Sequence, residues 1–145
     1  MTELAGVCAN DAEAIIVAWL SKLRRTSVVR LAGDELPFTL VKEITGTENI
    51  EMGTAERVVS VHTLCERTTG ISEAAREAQD THRRMLLLGA TLEAFPLADE
   101  TLVSVDFVRV VESPIWVPYT DEILRKVGRY EIGLMYEDQP DPLGS

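Results

Sequence analysis

Between positions 10 and 24 the apolar residues recur at helical spacing. Ala12, Ile15, Ile16, Trp19, Leu20 and Leu23 fall on one broad face, with Glu13, Ser21, Lys22 and Arg24 mainly outside it. This spacing predicts a helix opening at Asn10 or Asp11. Asn10 with Glu13 three residues on reads as a capping-box-like pair, and Asp11 suits the positive helix end. Ala14, Val17 and Ala18 form a second, mildly apolar strip on the reverse side, either plain surface or a contact with another subunit.

From position 27 the period shortens to two. Residues 27–31 read as a short β-branched strand, and in 38–45 Phe38, Leu40, Lys42 and Ile44 alternate against Thr39, Val41, Glu43 and Thr45. Asp34, Glu35 and Pro37 between them are turn chemistry, so the two strands are expected to form a hairpin. A third strand over 57–66 sets Val59, Val61 and Cys65 against Val58, His62 and Leu64. The intervening 46–53 stretch is bounded by glycines and polar except for Ile50 and Met52. It is longer than a hairpin needs, so a loop is expected, poorly ordered alone and ordered by docking.

The strongest helical pattern covers 72–88. Ser72 is the expected cap, Glu73 lies in the first turn and Gly89 suits the position after the end. Ala74, Ala75, Ala78, His82 and Met85 face one way, while Glu73/Arg76, Arg76/Asp80 and Asp80/Arg84 can pair on a wet face. A strand follows over 102–112. The 113–119 segment, with two prolines and Ile115, Trp116 and Tyr119, reads as an extended connection kept out of any central strand. The last strand, 129–137, puts Tyr130, Ile132, Leu134 and Tyr136 on one side. Helix, three strands, helix, two strands predicts an α+β fold, a mostly antiparallel sheet of about five strands covered by two helices. Residues 1–137 are expected to form one domain, with 138–145 a disordered acidic tail.

Composition narrows the function more than the fold. The 145 residues are 46% hydrophobic and 26% charged, enough for a core without metals or disulfides. The longest purely apolar run covers 14–20, too short to cross a bilayer, and acids at 3, 11 and 13 break signal-peptide grammar. Folding in the cytoplasm and no membrane partner are therefore expected. A net charge of −10 argues against a broad nucleic-acid surface, since phosphate binding needs clustered Lys and Arg. The basic set is eleven Arg and three Lys, which suits interfaces and equally suits a biased base composition. Cys8 and Cys65 are expected to be small buried thiols.

The chemistry of a catalytic, cofactor or metal site is missing from the pattern. There is no phosphate-cradling GxxxxGK[ST], no GxGxxG and no HExxH, and His62 and His82 stand on different elements. His62 and Cys65, three apart in a strand, point to opposite faces. His82 reads as a packed histidine and Asp106 as an acid on a wetted face. Neither a cofactor nor a metal is expected.

The order of the pieces carries a resemblance. IIVAWLSKL is followed by a short hairpin, ERVVSVHTLCE, the alanine-rich SEAAREAQDTHRRMLLLG, then SVDFVRVVESPIWVPY and VGRYEIGLMY. Over about residues 10 to 137 the chain resembles the tail terminator, or tail completion, proteins of long-tailed phages, especially those of actinobacterial phages. The resemblance implies a non-enzymatic virion subunit: a ring, usually of six copies, on the head-proximal end of the tail tube. Such a ring stops tube polymerisation, meets the tail tube protein and the head–tail connector, and lets DNA through without specific binding. A ring needs a heterologous interface. Glu48, Asn49, Ile50 and Met52, then Ile115, Trp116 and Tyr119 of the proline-bearing segment with its two aromatics, and Val17 are the expected contact residues. The alternatives are another connector or minor tail subunit, or a small α+β cone enzyme using Asp106, His62 or Tyr130 in an apolar cavity.

Overall fold

The computed structural model describes residues 7–138, in the order β1 (Val7–Cys8), α1 (Ala12–Leu20), β2 (Thr26–Ser27), β3 (Phe38–Asn49), β4 (Thr54–Glu66), a 3-10 turn (Arg67–Thr69), α2 (Ile71–Thr91), β5 (Phe95–Pro96), β6 (Leu102–Val103), β7 (Phe107–Trp116), β8 (Ile123–Met135) and β9 (Glu137–Asp138). The fold is α+β, with two helices and a five-stranded sheet in the order β2-β3-β4-β8-β7. All neighbours in that sheet are antiparallel except β2 and β3. Of the expected tail, Asp138 belongs to β9, paired with Val7, and the rest lies outside the described residues.

The first helix forms on its apolar face, burying Ala12, Ile15, Ile16 and Leu20. Asp11 is its cap, accepting from the Glu13 amide at 3.0 Å. The Asn10–Glu13 capping pair does not form because both side chains are used elsewhere. Asn10 donates to Glu137 at 2.6 Å, and Glu13 accepts the Glu43 amide at 2.7 Å, tying α1 to β3. Leu23 lies beyond the helix and is exposed.

Several sequence expectations are corrected. The strand expected at 27–31 shrinks to Thr26–Ser27 and runs parallel to β3, so no hairpin joins them. Asp34 explains why: its carboxylate accepts the Leu31 amide at 2.8 Å and its amide donates to Leu31 O at 3.1 Å. That local turn consumes the backbone groups a hairpin ladder would need. The strand expected at 102–112 breaks in two at 104–106, and β7 then runs on through Pro114 to Trp116. Proline is tolerated there because β7 is the sheet's edge and its register shifts on both sides of Glu112. The last strand begins at Ile123, not 129, and Tyr136 falls outside it.

The second helix starts earlier and ends later than capping chemistry suggests. Gly70, not Ser72, is the N-cap, and the helix passes through Gly89 to a left-handed Leu92. Gly89 serves packing: a Cβ there would stand 3.0 Å from Val108 Cβ on β7. Ala74, Ala78, Thr81, Met85 and Leu88 form the buried face.

Both helices cover one face of the sheet. Ile15, Ile16, Leu20, Met85 and Leu88 pack there with Val41, Val59, Val61, Tyr130, Ile132 and Leu134. Arg24, just past α1, bolts the layers together. Its guanidinium contacts the Glu77 carboxylate at 2.7 and 3.0 Å and Thr39 at 2.9 Å, and also reaches Thr81. The opposite face carries Phe38 and Leu64, directly paired and fully buried, then opens to Leu40, His62, Lys42, Arg125 and Arg129.

Candidate assembly interface

The eight expected contact residues divide among three places. Glu48, Asn49, Ile50 and Met52 stand at the tip of the β3–β4 hairpin. The flexible loop expected at 46–53 is corrected by the structure. Gly46, Thr47, Glu48 and Asn49 are laddered onto Arg57, Glu56, Ala55 and Thr54, leaving only a tight turn. Glycine makes the extension possible: a Cβ on Gly46 would lie 2.6 Å from Arg57 Cδ, so the arginine stem crosses where no side chain stands. The turn is closed by the Met52 amide on Asn49 Oδ1 at 3.1 Å and by the Gly53 amide on Ile50 O at 3.3 Å. Tyr136 braces its base, donating to Glu48 at 2.9 Å, while the Tyr136 amide donates to Gly53 O at 2.7 Å. On this braced support Ile50 and Met52 are 67% and 73% exposed, so the apolar side chains are displayed rather than loosely held.

Trp116 and Tyr119 lie at the other end of the sheet. They line a groove of about 410 Å³ with Arg67, Ile71, Asp121 and Arg125, between the start of α2 and the segment joining β7 to β8. Trp116 is 43% exposed and has the Lys126 ammonium 4.9 Å from its ring centre; Tyr119 has the Arg125 guanidinium at 4.8 Å. Such cation–aromatic stacking holds the rings upright and leaves their other sides to a partner. Ile115 is next to the groove and pairs with Val127, facing the side of the sheet that no helix covers.

Val17 is set apart from both. It is half-buried against the core, at the floor of a shallow groove with Ala14, Ala18, Pro96, Leu97 and Asp99. The reverse strip of α1 is therefore half-buried, facing the chain's own 96–99 segment across that groove.

The three groups considered for catalysis are not brought together. Asp106 is exposed. Tyr130 is 1% exposed, its hydroxyl 2.7 Å from His82 Nδ1, and burial pushes its ionisation above the usual tyrosine range. His62 sits on the sheet's other face, 2.9 Å from Ser60 Oγ. Burial first, then the positive charges of Arg125, Lys42 and Arg129, depress its pKa to about 4. It is therefore neutral at physiological pH and half-enclosed by cations rather than by a substrate-sized cavity. Among the described residues no three His, Cys, Asp or Glu side chains gather as a metal set, and no helix is long and apolar enough to cross a membrane.

No protein-family model matches the chain, and no curated protein matches it.

Sequence reasoning missed Ile71, Arg67, Arg125 and Lys126. Ile71 falls outside the helix that the sequence predicts, yet it occupies the first turn and is 63% exposed at the groove's wall. The fold brings Arg67 to the groove beside Arg125, and Lys126, next along β8, stacks on Trp116.

Proposed function

We propose that the chain is a structural subunit of a long-tailed phage virion, a tail terminator. Copies assemble into a ring, six by the family's habit, on the head-proximal end of the tail tube. The ring ends tube growth and joins the tail tube protein to the head–tail connector, while DNA passes through it without specific binding. One observation supports this most. The two displayed apolar patches, Ile50 with Met52 and Trp116 with Tyr119, lie at opposite ends of one sheet. Strand β4, which separates them, has 13 residues and so spans roughly 40 Å. Two unlike patches far apart on a rigid body favour head-to-tail contacts, which form a ring where the rotation closes, over a single self-complementary patch, which stops at a dimer.

The chain is read as non-enzymatic. Asp106, His62 and Tyr130 point to three different environments, and the tyrosine and histidine of the core spend their polar atoms on each other. The test is electron microscopy of the purified chain, alone and mixed with tail tubes that lack a terminator. Rings, and rings seated on one tube end, are expected. A chain that never forms rings and leaves tube ends bare removes the proposal.

A further inference from the structure

The groove that holds Trp116 and Tyr119 is lined by Arg67 and Arg125, and by Asp121. Among the described residues eight of the 14 basic side chains have no carboxylate within 4.0 Å and six have one. Arg24, Arg25, Arg57, Arg76, Arg109 and Arg129 are the six. Arg67, Arg125 and Lys126 are among the eight. Arg67 is held by the Asp121 backbone carbonyl at 2.6 Å, Arg125 by the Pro118 carbonyl at 2.9 Å, and Lys126 only by the Trp116 ring. Each cation is positioned without being neutralised. Together with the exposed Ile71, Trp116 and Tyr119, Arg67 and Arg125 make an acceptor for something apolar flanked by acid.

The hairpin tip of this same chain has that composition. Glu51 stands between Ile50 and Met52 and has no ion pair among the described residues, while Glu48 is held by Arg57 and Tyr136. A chain cannot insert its own tip into its own groove, because β4 holds the two at opposite ends of the sheet. We propose that the tip of one copy docks into the groove of the next. Ile50 and Met52 enter against Ile71, Trp116 and Tyr119, and Glu51 meets the groove-lining Arg67 and Arg125. Methionine suits the role because its flexible thioether fits an irregular pocket. The tight turn and the Tyr136 brace reduce the entropy lost on docking. This contact deepens the ring reading and rests on it: tip-to-groove is the heterologous joint that repeats around the ring.

The test uses the full-length chain and reads oligomer mass by light scattering and mass photometry. A tip variant carries Ile50→Ser with Met52→Ser, and a groove variant carries Trp116→Ser with Tyr119→Ser. Both should keep the wild-type circular dichroism spectrum, since the altered side chains are on the surface. Glu51→Lys, a single change on the exposed turn, repeats the tip experiment without touching the fold. Each variant should associate at least roughly tenfold more weakly than wild type. Added salt should weaken wild-type association. Mixed together, the tip and groove variants should form a one-to-one dimer and stop, because the pair retains one intact joint. If wild type forms rings and the tip variants form them equally well, the docking proposal falls while the ring reading stands. A mixture that stays monomeric likewise overturns the docking and leaves the ring. A wild-type chain that is monomeric at every concentration removes the ring reading and this contact with it.

Discussion

Trp19 and Arg84 hold each other by both ends. The indole Nε1 donates to the Arg84 carbonyl at 2.8 Å, Arg84 Nε donates to the Trp19 carbonyl at 3.1 Å, and the guanidinium lies 3.8 Å from the ring centre. The pair joins α1 to α2 across the top of the core, with Phe95 packed against the indole at 5.1 Å. Helical spacing alone pairs Arg84 with Asp80 on a wet face; its other role wins because a stacked, twice-bonded guanidinium outweighs an exposed ion pair. Trp19→Phe should keep the packing and lose the carbonyl bond, costing about 1–2 kcal/mol in urea unfolding. A double-mutant cycle with Arg84→Met should return a coupling of about 1 kcal/mol.

Arg24 is the costlier residue to remove. Its side chain is only 6% exposed, and it is bonded to Glu77 while also reaching two threonines on different elements. Arg24→Ala should destabilise by about 3–5 kcal/mol, because Glu77 and the Thr39 and Thr81 hydroxyls lose a shared partner. Arg24→Lys, lacking the planar fork, should recover only part of that loss in the same denaturant titration.

Acid should weaken the fold through His62. Its folded pKa is about 4, against an ordinary value of 6.5, because burial and the Arg125, Lys42 and Arg129 charges all oppose protonation. Above 6.5 neither state is protonated and His62 adds no pH dependence. As pH falls from 6.5 towards 4, the unfolded chain takes up a proton that the folded chain refuses, so stability drops across that window. His82, lowered by burial, acts in the same direction. Glu43, raised chiefly by burial, opposes both at lower pH. His62→Asn should flatten the slope of unfolding free energy between pH 6.5 and 4.

The two thiols should react unequally. Cys8 is exposed on β1, while Cys65 is buried, with its pKa pushed up to about 11 mainly by burial. The expectation of two buried thiols is corrected for Cys8. Iodoacetamide at pH 8 should add one label to the native chain, at Cys8, and a second only after denaturation. Mass spectrometry of the peptides reads both.

Duplex DNA should bind weakly. The net charge of −10 repels phosphate. A mobility-shift titration at physiological salt should show no retardation at micromolar protein, and a bound band there would count against the conduit role.

Much of the architecture can be read along the chain. The 3.6-residue spacing of Ile15, Ile16 and Leu20, and of Ala74, Ala78 and Met85, is a property of adjacent turns, and those residues are buried. The alternation of Val59 with Val61 and of Tyr130, Ile132 and Leu134 likewise marks the core face of β4 and β8. The errors fall where one segment's conformation depends on another. The polar Gly46, Thr47, Glu48 and Asn49 look like a loop in isolation. They are strand because Thr54, Ala55, Glu56 and Arg57 offer them a ladder, and because β8 extends that ladder on its far side.

The candidate site divides in the same way. Ile50, Met52, Trp116 and Tyr119 stand out in the sequence as apolar or aromatic residues in polar or proline-bearing stretches, so local contrast alone marks them. Period and composition act over a few residues, and they determined the two helices, the α+β class and these four side chains. The parallel return of β2, the placement of the tip and groove at opposite ends of the sheet, and the meeting of Arg67 with Arg125 at the groove were decided only by tertiary structure. Each of these depends on pairing between strands distant along the chain, and the free energy of such pairing belongs to neither segment alone.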